Sequence, residues 1–276
     1  DDVESRGLGD VYKRQEYGDT AARMMRELHD LAHSLDPDRY TMLATNHYGG
    51  DKWKSDIKGC NIYPGWYWGG PRLFRSQAAA HIRANGGRGG AGSEYGAVSN
   101  VDHHTEHPKQ PKDTVCTFHS EEWQSIVHEH ALRYFTSEKA DKLWGTFVWN
   151  MFDFAIDSRN EGGIPGRNDK GLVTYDRKIK KDAFYLYKSY WSGESVLYIT
   201  SRRFKKREKK HVAVKIYSNE EKITLYVNGV RIGQKCASKT RQQHIFIFKG
   251  VKLRRGENEI KAVSDSGLKD TVFWKY

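Results

Sequence analysis

A chain of 276 residues, 37% hydrophobic and 29% charged, is long enough for two domains and has the balance of a globular protein rather than a disordered one. No apolar run reaches the roughly 18 residues a membrane span requires, so no membrane partner is expected. The net charge of +11 is uneven: from Leu197 onward there are 20 Lys and Arg against 7 Asp and Glu, which leaves residues 1–196 at −2. That shift marks a domain boundary.

In chain order, residues 1–15, DDVESRGLGDVYKRQ, show no apolar periodicity and read as a non-native junction of adapter or vector type. Thr20 to Leu35 predicts a helix, with Ala22, Met25, Leu28, Leu31, Ala32 and Leu35 at three- and four-residue spacing, ended by Asp36-Pro37. Short apolar runs predict strands at Tyr40 to Thr45, Asp56 to Tyr63, Ala91 to Tyr95 and Leu143 to Phe152. Helices are predicted over about Ser120 to Ser137 and over Lys181 to Tyr190. Strands alternating with helices imply an α/β unit with a parallel sheet. Four of them fit the C-terminal half of a (β/α)8 TIM barrel, assigned to residues 16–195.

Beyond Trp191 the period changes to two, with strands at Val212 to Tyr217, Ile223 to Val227, Val230 to Gln234, His244 to Phe248 and Glu259 to Val263. Asn228-Gly229 between two of these is a hairpin turn signal. An immunoglobulin-like β-sandwich is expected for residues 196–276. The basic run Arg202 to Lys210 lies at the junction and reads as a solvated linker or hairpin rather than a nucleic-acid patch.

Chemistry concentrates at Ala91-Gly92-Ser93-Glu94-Tyr95-Gly96-Ala97, where a Gly-rich strand ends on a carboxylate. In barrel enzymes that C-terminal rim carries the active site, and a retaining glycosidase needs a carboxylate there to attack the anomeric carbon. A strand-end ion pair is the alternative role for Glu94. Four ordered segments, SEYGA at 93–97, DIKGCNIYPGWY at 56–67, LWGTFVWNMFDFA at 143–155 and NDKGLVTYDRKIKKDAFYLYK at 168–188, resemble glycoside hydrolase family 2. The resemblance spans nearly all of residues 16–195. It implies Glu94 as catalytic nucleophile, Tyr63 as its hydrogen-bond partner, and a sugar pocket built by Trp66, Tyr95, Trp149, Asn150, Asn168 and Lys170.

The same resemblance calls for a second carboxylate, the acid/base Glu of an Asn-Glu pair ahead of a helix ending in Asp-Pro. Glu16 stands 78 positions before Glu94 and 20 before Asp36, but follows Gln15 rather than Asn. It is either the acid/base, with its strand missing, or a solvated carboxylate. Half a barrel leaves sheet edges and apolar helix faces uncovered, so the chain by itself is expected to be inactive and marginally stable.

The implied substrate is a carbohydrate, and no cofactor is expected. WNMFDFA and GLVTYDR look more like the β-galactosidase branch of the family. Asn168-x-Lys170 looks like the pair that grips the sugar carboxylate in β-glucuronidases, unless Lys170 pairs with a carboxylate of the barrel. A rival of another class, a non-catalytic carbohydrate-binding module, would need a stacking platform, and the tail offers a single tryptophan, Trp274. His103, His104 and His107 with Glu106, and His128 with His130, invite a metal reading. His128 and His130 point about 200° apart on a helix, so they cannot share an ion, and no metal site is expected in the chain. Cys60, Cys116 and Cys236 are too scattered for disulfides or a zinc cluster.

Overall fold

The computed structural model describes residues 18–46, 53–112, 117–237 and 242–276. Residues 1–15, Glu16 and Cys116 lie outside these. The first part is a four-stranded parallel sheet in the order β1 (Met42–Leu43), β2 (Ile57–Asn61), β3 (Gly90–Tyr95) and β4 (Leu143–Val148). Helix α1 (Gly18–Leu35) precedes it, α2 (Phe74–Ala84) connects β2 to β3, and α3 (Glu121–Phe135) connects β3 to β4. A hairpin of β5 (Phe154–Glu161) and β6 (Ile164–Asn168) follows, and then α4 (Asp182–Trp191).

Local chemistry explains these bounds. The Ser120 hydroxyl accepts the Trp123 amide and caps α3, whose first turn carries Glu121 and Glu122 and whose last turn carries Arg133. Each matches the helix dipole. Helix α4 has no side-chain cap of its own, and its first amide, that of Asp182, donates instead to Oε1 of Glu121 at 2.6 Å. All of β3 is buried, because helices cover one face and the site covers the other. Helix α2 and the β5–β6 hairpin were not foreseen. Residues 74–84, FRSQAAAHIRA, carry too few large apolar residues to show a stripe, and the hairpin pairs irregularly around Asn160.

The tail is built from two antiparallel sheets. One has the order β10 (Val230–Cys236), β9 (Lys222–Val227), β12 (Glu257–Ser264), β13 (Lys269–Lys275), and the other β11 (Ile245–Lys252), β8 (His211–Ser218), β7 (Leu197–Ile199). Both send alternate residues into a single core that includes Val214, Ile216, Leu225, Phe246, Ile260 and Trp274. The turn at Asn228-Gly229 has φ of 51° and 78°, as a type I′ hairpin requires. Trp274, the tail's single tryptophan, is buried beneath the Arg207 guanidinium, 3.6 Å from its ring centre. The carbohydrate-binding-module alternative loses its platform by that burial.

The basic run is not a solvated linker, which corrects the sequence expectation. Arg203 and Arg207 fold back onto acidic groups of the preceding part and Arg202 onto one of the tail, while Lys205, Lys206, Lys209 and Lys210 stay exposed. Arg203 pairs with both carboxylate oxygens of Glu121 and lies 3.0 Å from Asp182. Arg202 meets Asp270 at 2.5 Å, Arg207 meets Glu106 at 3.3 Å, and Phe204 is buried between them. The Asp182 carboxylate also accepts the Tyr198 hydroxyl and the Ser201 amide. Nearby, Glu129 of α3 accepts the Tyr217 hydroxyl at 2.6 Å and the Lys215 ammonium at 2.5 Å.

Apolar side chains lie exposed at both ends of the parallel sheet. Met24, Leu28, Leu31 and Leu35 on α1 face outward, as do Trp144 and Phe147 on β4. No described helix is long and apolar enough to cross a membrane.

Burial, and then the charge of Asp182, push the Glu121 carboxyl up to about 7 against the pull of Arg203. A carboxyl raised in the folded state contributes stability that is complete below its unfolded value near 4.5 and is lost as pH rises through about 7. The thermal midpoint is therefore expected to fall between pH 5 and pH 8. In Glu121→Gln that slope flattens, which melting curves at a series of pH values would show.

Candidate active site

The parallel strands carry the site at their C-terminal ends. Asn61 of β2 and Glu94 of β3 are in register, and the Glu94 carbonyl accepts the Ile62 amide at 2.7 Å. Ser93 donates to Oδ1 of Asn61 at 2.8 Å, which locks the two strand ends. Glu94 is buried, and its Oε2 accepts the Tyr63 hydroxyl at 2.9 Å. The pairing foreseen between these two residues is thus present.

Residues 63–68 leave β2 as a tight loop, pinned by the Trp123 indole N–H of α3 to the Gly65 carbonyl at 3.0 Å. The loop presents Tyr63, Trp66 and Tyr67 to the side chain of Lys170, which is fully buried. The Lys170 ammonium donates to the Tyr67 hydroxyl at 2.7 Å. It stands 5.3, 5.5 and 4.7 Å from the ring centres of Tyr63, Trp66 and Tyr67. Aromatic faces attract a cation at such distances. Oδ1 of Asn168 accepts the Lys170 amide at 3.0 Å, so the asparagine shapes the turn that aims the lysine.

The Trp149 amide donates to the Tyr95 carbonyl, and the Trp149-Asn150 peptide is cis. Asn150 bonds through its backbone to Lys170 and Leu172, which joins the end of β4 to the Lys170 turn. Nε1 of Trp149, Oδ1 of Asn150 and Nε1 of Trp66 have no hydrogen-bond partner among the described residues. Groups of this kind suit a polyhydroxylated ligand, since a buried donor or acceptor without a partner is costly.

Tyr95 departs from the expected arrangement. Successive side chains of a strand face opposite ways, so with Glu94 in the site Tyr95 points behind the sheet. There it packs on Phe74 and Phe135 and bonds the Tyr187 hydroxyl at 3.2 Å. Burial raises its phenol far above the usual range. Tyr95 is a core residue, not a lining one.

Behind the site lies a network whose centre the sequence did not reveal. The fully buried Lys181 ammonium donates to Oδ1 of Asp153 at 2.8 Å, to the Ser99 carbonyl at 2.8 Å and to the Asp169 carbonyl at 2.9 Å. Burial raises Asp153 to about 6 against the pull of Lys181. Asp169 holds Arg167 through both oxygens. The sign available beforehand was the run of alternating charge, Arg167 to Asp182, within a segment rich in turn residues. Tyr67 was legible too, as the last residue of NIYPGWY, but was given no role.

The histidines near the site have structural partners. His103 stacks on Phe118 and accepts the His119 amide, and His104 sits 3.0 Å from Glu122. His128 bonds the Tyr187 hydroxyl at 2.7 Å, and burial drives it down to about 3, so it is neutral.

Known proteins place this architecture. Residues 209–269 match the family described as Domain of unknown function (DUF4982). Over 252 residues the chain is 36% identical to a Bacteroides fragilis β-glucuronidase, covering 91% of this chain and 35% of the relative. The chain belongs to glycoside hydrolase family 2. Among solved structures, an FMN-binding β-glucuronidase from Faecalibacterium prausnitzii L2-6 superposes with a TM-score of 0.81 at 34% identity. So does a B. fragilis protein named a "putative beta-galactosidase", with the same TM-score and identity. Each solved structure covers 92% of this chain, which spans 38% of the other.

Gly171 is the tightest point of the site's frame. A Cβ there would stand 2.0 Å from the Asp153 nitrogen and 2.7 Å from Oδ1 of Asp153. Gly171→Ala is therefore expected to force the Lys170 turn away from β5 and to cost about 3 kcal/mol, as overpacking against a rigid backbone does. Urea unfolding, read as a lower midpoint at unchanged slope, measures it.

Proposed function

We propose that the chain supplies the nucleophile half of a retaining β-glycosidase, and that the sugar it fits best is a β-glucuronide. In this reading the parallel sheet is the second half of a (β/α)8 barrel, residues 16–195, and the sandwich, residues 196–276, is immunoglobulin-like. Glu94 attacks the anomeric carbon as the bond to the leaving oxygen breaks, and an acid/base carboxyl protonates that oxygen. The same group then takes a proton from water, which releases the sugar and restores Glu94. Glu16 is the candidate for that role. Tyr63 orients Glu94, while Trp149 and Asn150 offer their unpartnered polar atoms to hydroxyls.

The observation that carries the choice of sugar is the position of Lys170. Its ammonium is wrapped by three aromatic rings, one of which belongs to the tyrosine bonded to Glu94. A cation and the attacking carboxylate on either side of one tyrosine suit a substrate with its anomeric carbon at one end and a carboxylate at the other. A charge-assisted bond between the two is stronger than a neutral one. Pairing of Lys170 with a barrel carboxylate is the alternative role, and Asp153 and Asp169 engage Lys181 and Arg167. The β-galactoside reading draws support from the B. fragilis structure and from WNMFDFA and GLVTYDR, which look more like that branch.

Covalent labelling separates them. The chain, joined to the first half of the barrel that the family resemblance implies, is treated with cyclophellitol-type aziridines of glucuronate and of galactose configuration, and the adduct is located by mass spectrometry. Labelling at Glu94 by the uronate probe, lost in Glu94→Gln and slowed roughly 10- to 100-fold in Lys170→Met, is expected, the loss of one charged hydrogen bond. Faster labelling by the galactose probe, with Lys170→Met unchanged, would establish the galactoside reading instead. Labelling at neither rate above Glu94→Gln would remove Glu94 from the role in this chain.

A further inference from the structure

At the end of the sheet opposite Glu94 the structure gathers a set of side chains that the glycosidase reading does not use. His29 and His33 lie four residues apart on α1, so both rings leave the same face of the helix. Asp56 stands just ahead of β2, at its N-terminal end. One ring nitrogen of each histidine and a carboxylate oxygen of Asp56 lie within 4.8 Å of one another. The two rings meet edge to face at 4.6 Å between centres, and His33 Nε2 is 2.8 Å from Oδ2 of Asp56.

Thr41, just ahead of β1, orients the cluster. Its backbone amide donates to Oδ2 of Asp56 at 2.7 Å and its hydroxyl donates to the same oxygen at 2.9 Å. Nδ1 of His29 is 2.8 Å from that hydroxyl oxygen. Asp30 and Lys54 pair at 3.6 Å nearby, and Lys58, Arg88, Asp141 and Lys142 line the same cleft as His29 and Asp56. His29 and Asp56 also line an open cleft of about 920 Å³, shared with Tyr40, Trp53 and Asn85, so an ion has a way in.

We infer that His29, His33 and Asp56 form a binding site for a divalent transition metal of the zinc class, which would clasp α1 to the edge of the parallel sheet. Two imidazoles at i and i+4 plus one carboxylate is a donor set that suits zinc, with a solvent molecule as fourth ligand. Bonds of about 2.0–2.1 Å in a tetrahedron hold ligand atoms about 3.3 Å apart. The His33–Asp56 pair would open by about half an ångström from its hydrogen-bonded spacing, within the reach of side-chain rotation. The ion takes the place of the proton between Nε2 of His33 and Asp56, which moves to Nδ1 of a neutral ring or leaves to solvent from a protonated one. Thr41 supplies the outer hydrogen bonds that ligands of a metal usually have.

The ions themselves are the probes. Zinc is titrated into the chain in competition with a chromogenic chelator, and cobalt(II) is added separately to read geometry from its visible absorption. One equivalent of zinc and an intense tetrahedral cobalt band are expected, with affinity reduced at least tenfold in His33→Gln and in Asp56→Asn. Cys236→Ser, which removes the half-exposed described thiol, is expected to bind as the parent does. Failure of the parent chain to bind zinc, or equal binding by His33→Gln and Asp56→Asn, overturns the assignment. Circular dichroism on each variant confirms that the fold is retained, and the parent titration decides the matter without any variant. The result does not depend on the sugar reading, because the cluster lies at the other end of the strands from Glu94.

Discussion

The ammonium of Lys181 holds the rim of the candidate site together. It is the last residue before α4, and it reaches across to bond the segment after β3 through Ser99, the segment after β4 through Asp153, and the end of β6 through Asp169. Three chain segments that approach the site from different strands thus share one buried charge. Taking a lysine out of water is costly, and here three oxygens, one of them anionic, offset that cost. Removing any partner would leave a charge in the interior, so the arrangement specifies one geometry rather than a range. Gly171 fits against Asp153 only because that geometry is fixed. The turn of Asn168, Asp169 and Lys170 then has a single course, and it brings Lys170 to the aromatic loop of Tyr63.

A second ionic cluster joins this rim to the sandwich. Glu121 is at once the first residue of α3, the acceptor for the first amide of α4, and the partner of Arg203 from the tail. Two carboxylates, Glu121 and Asp182, face one guanidinium, and burial, followed by the charge of Asp182, raises Glu121 against the pull of Arg203. The tail therefore does more than sit beside the sheet. It neutralises the helix starts from which the site's scaffolding grows.

The parallel sheet, α1, α3 and the sandwich's alternation were legible because each rests on a pattern local to the sequence. So was the pairing of Glu94 with Tyr63, through the resemblance of SEYGA and NIYPGWY to the family. Tyr95 was misread for a physical reason: the motif lists neighbours in sequence, whereas a strand alternates them between faces. Helix α2 was missed because its buried residues include Gln77 and His81, which carry no apolar signal. The basic run was misread because charge density looks like solvation when the acids that meet it, Glu106, Glu121 and Asp182, come from remote segments. Histidine spacing was weighed where histidines crowd, at 103–107 and 128–130, and the i,i+4 pair at 29 and 33 was legible but passed over.

The wiring of Glu121 has a consequence for how the molecule opens. The first turns of α3 and α4 take their charge compensation from Arg203, so loosening the sandwich strips both helix starts of a partner. Those helices cover the back of β3, where Tyr95 meets Phe135 and Tyr187. Amide protons of β3 are then protected not only by their own sheet but by strands more than 100 residues further on. In hydrogen-exchange terms the strand that bears Glu94 and the tail are expected to open as one cooperative unit, although no strand of one pairs with any described strand of the other.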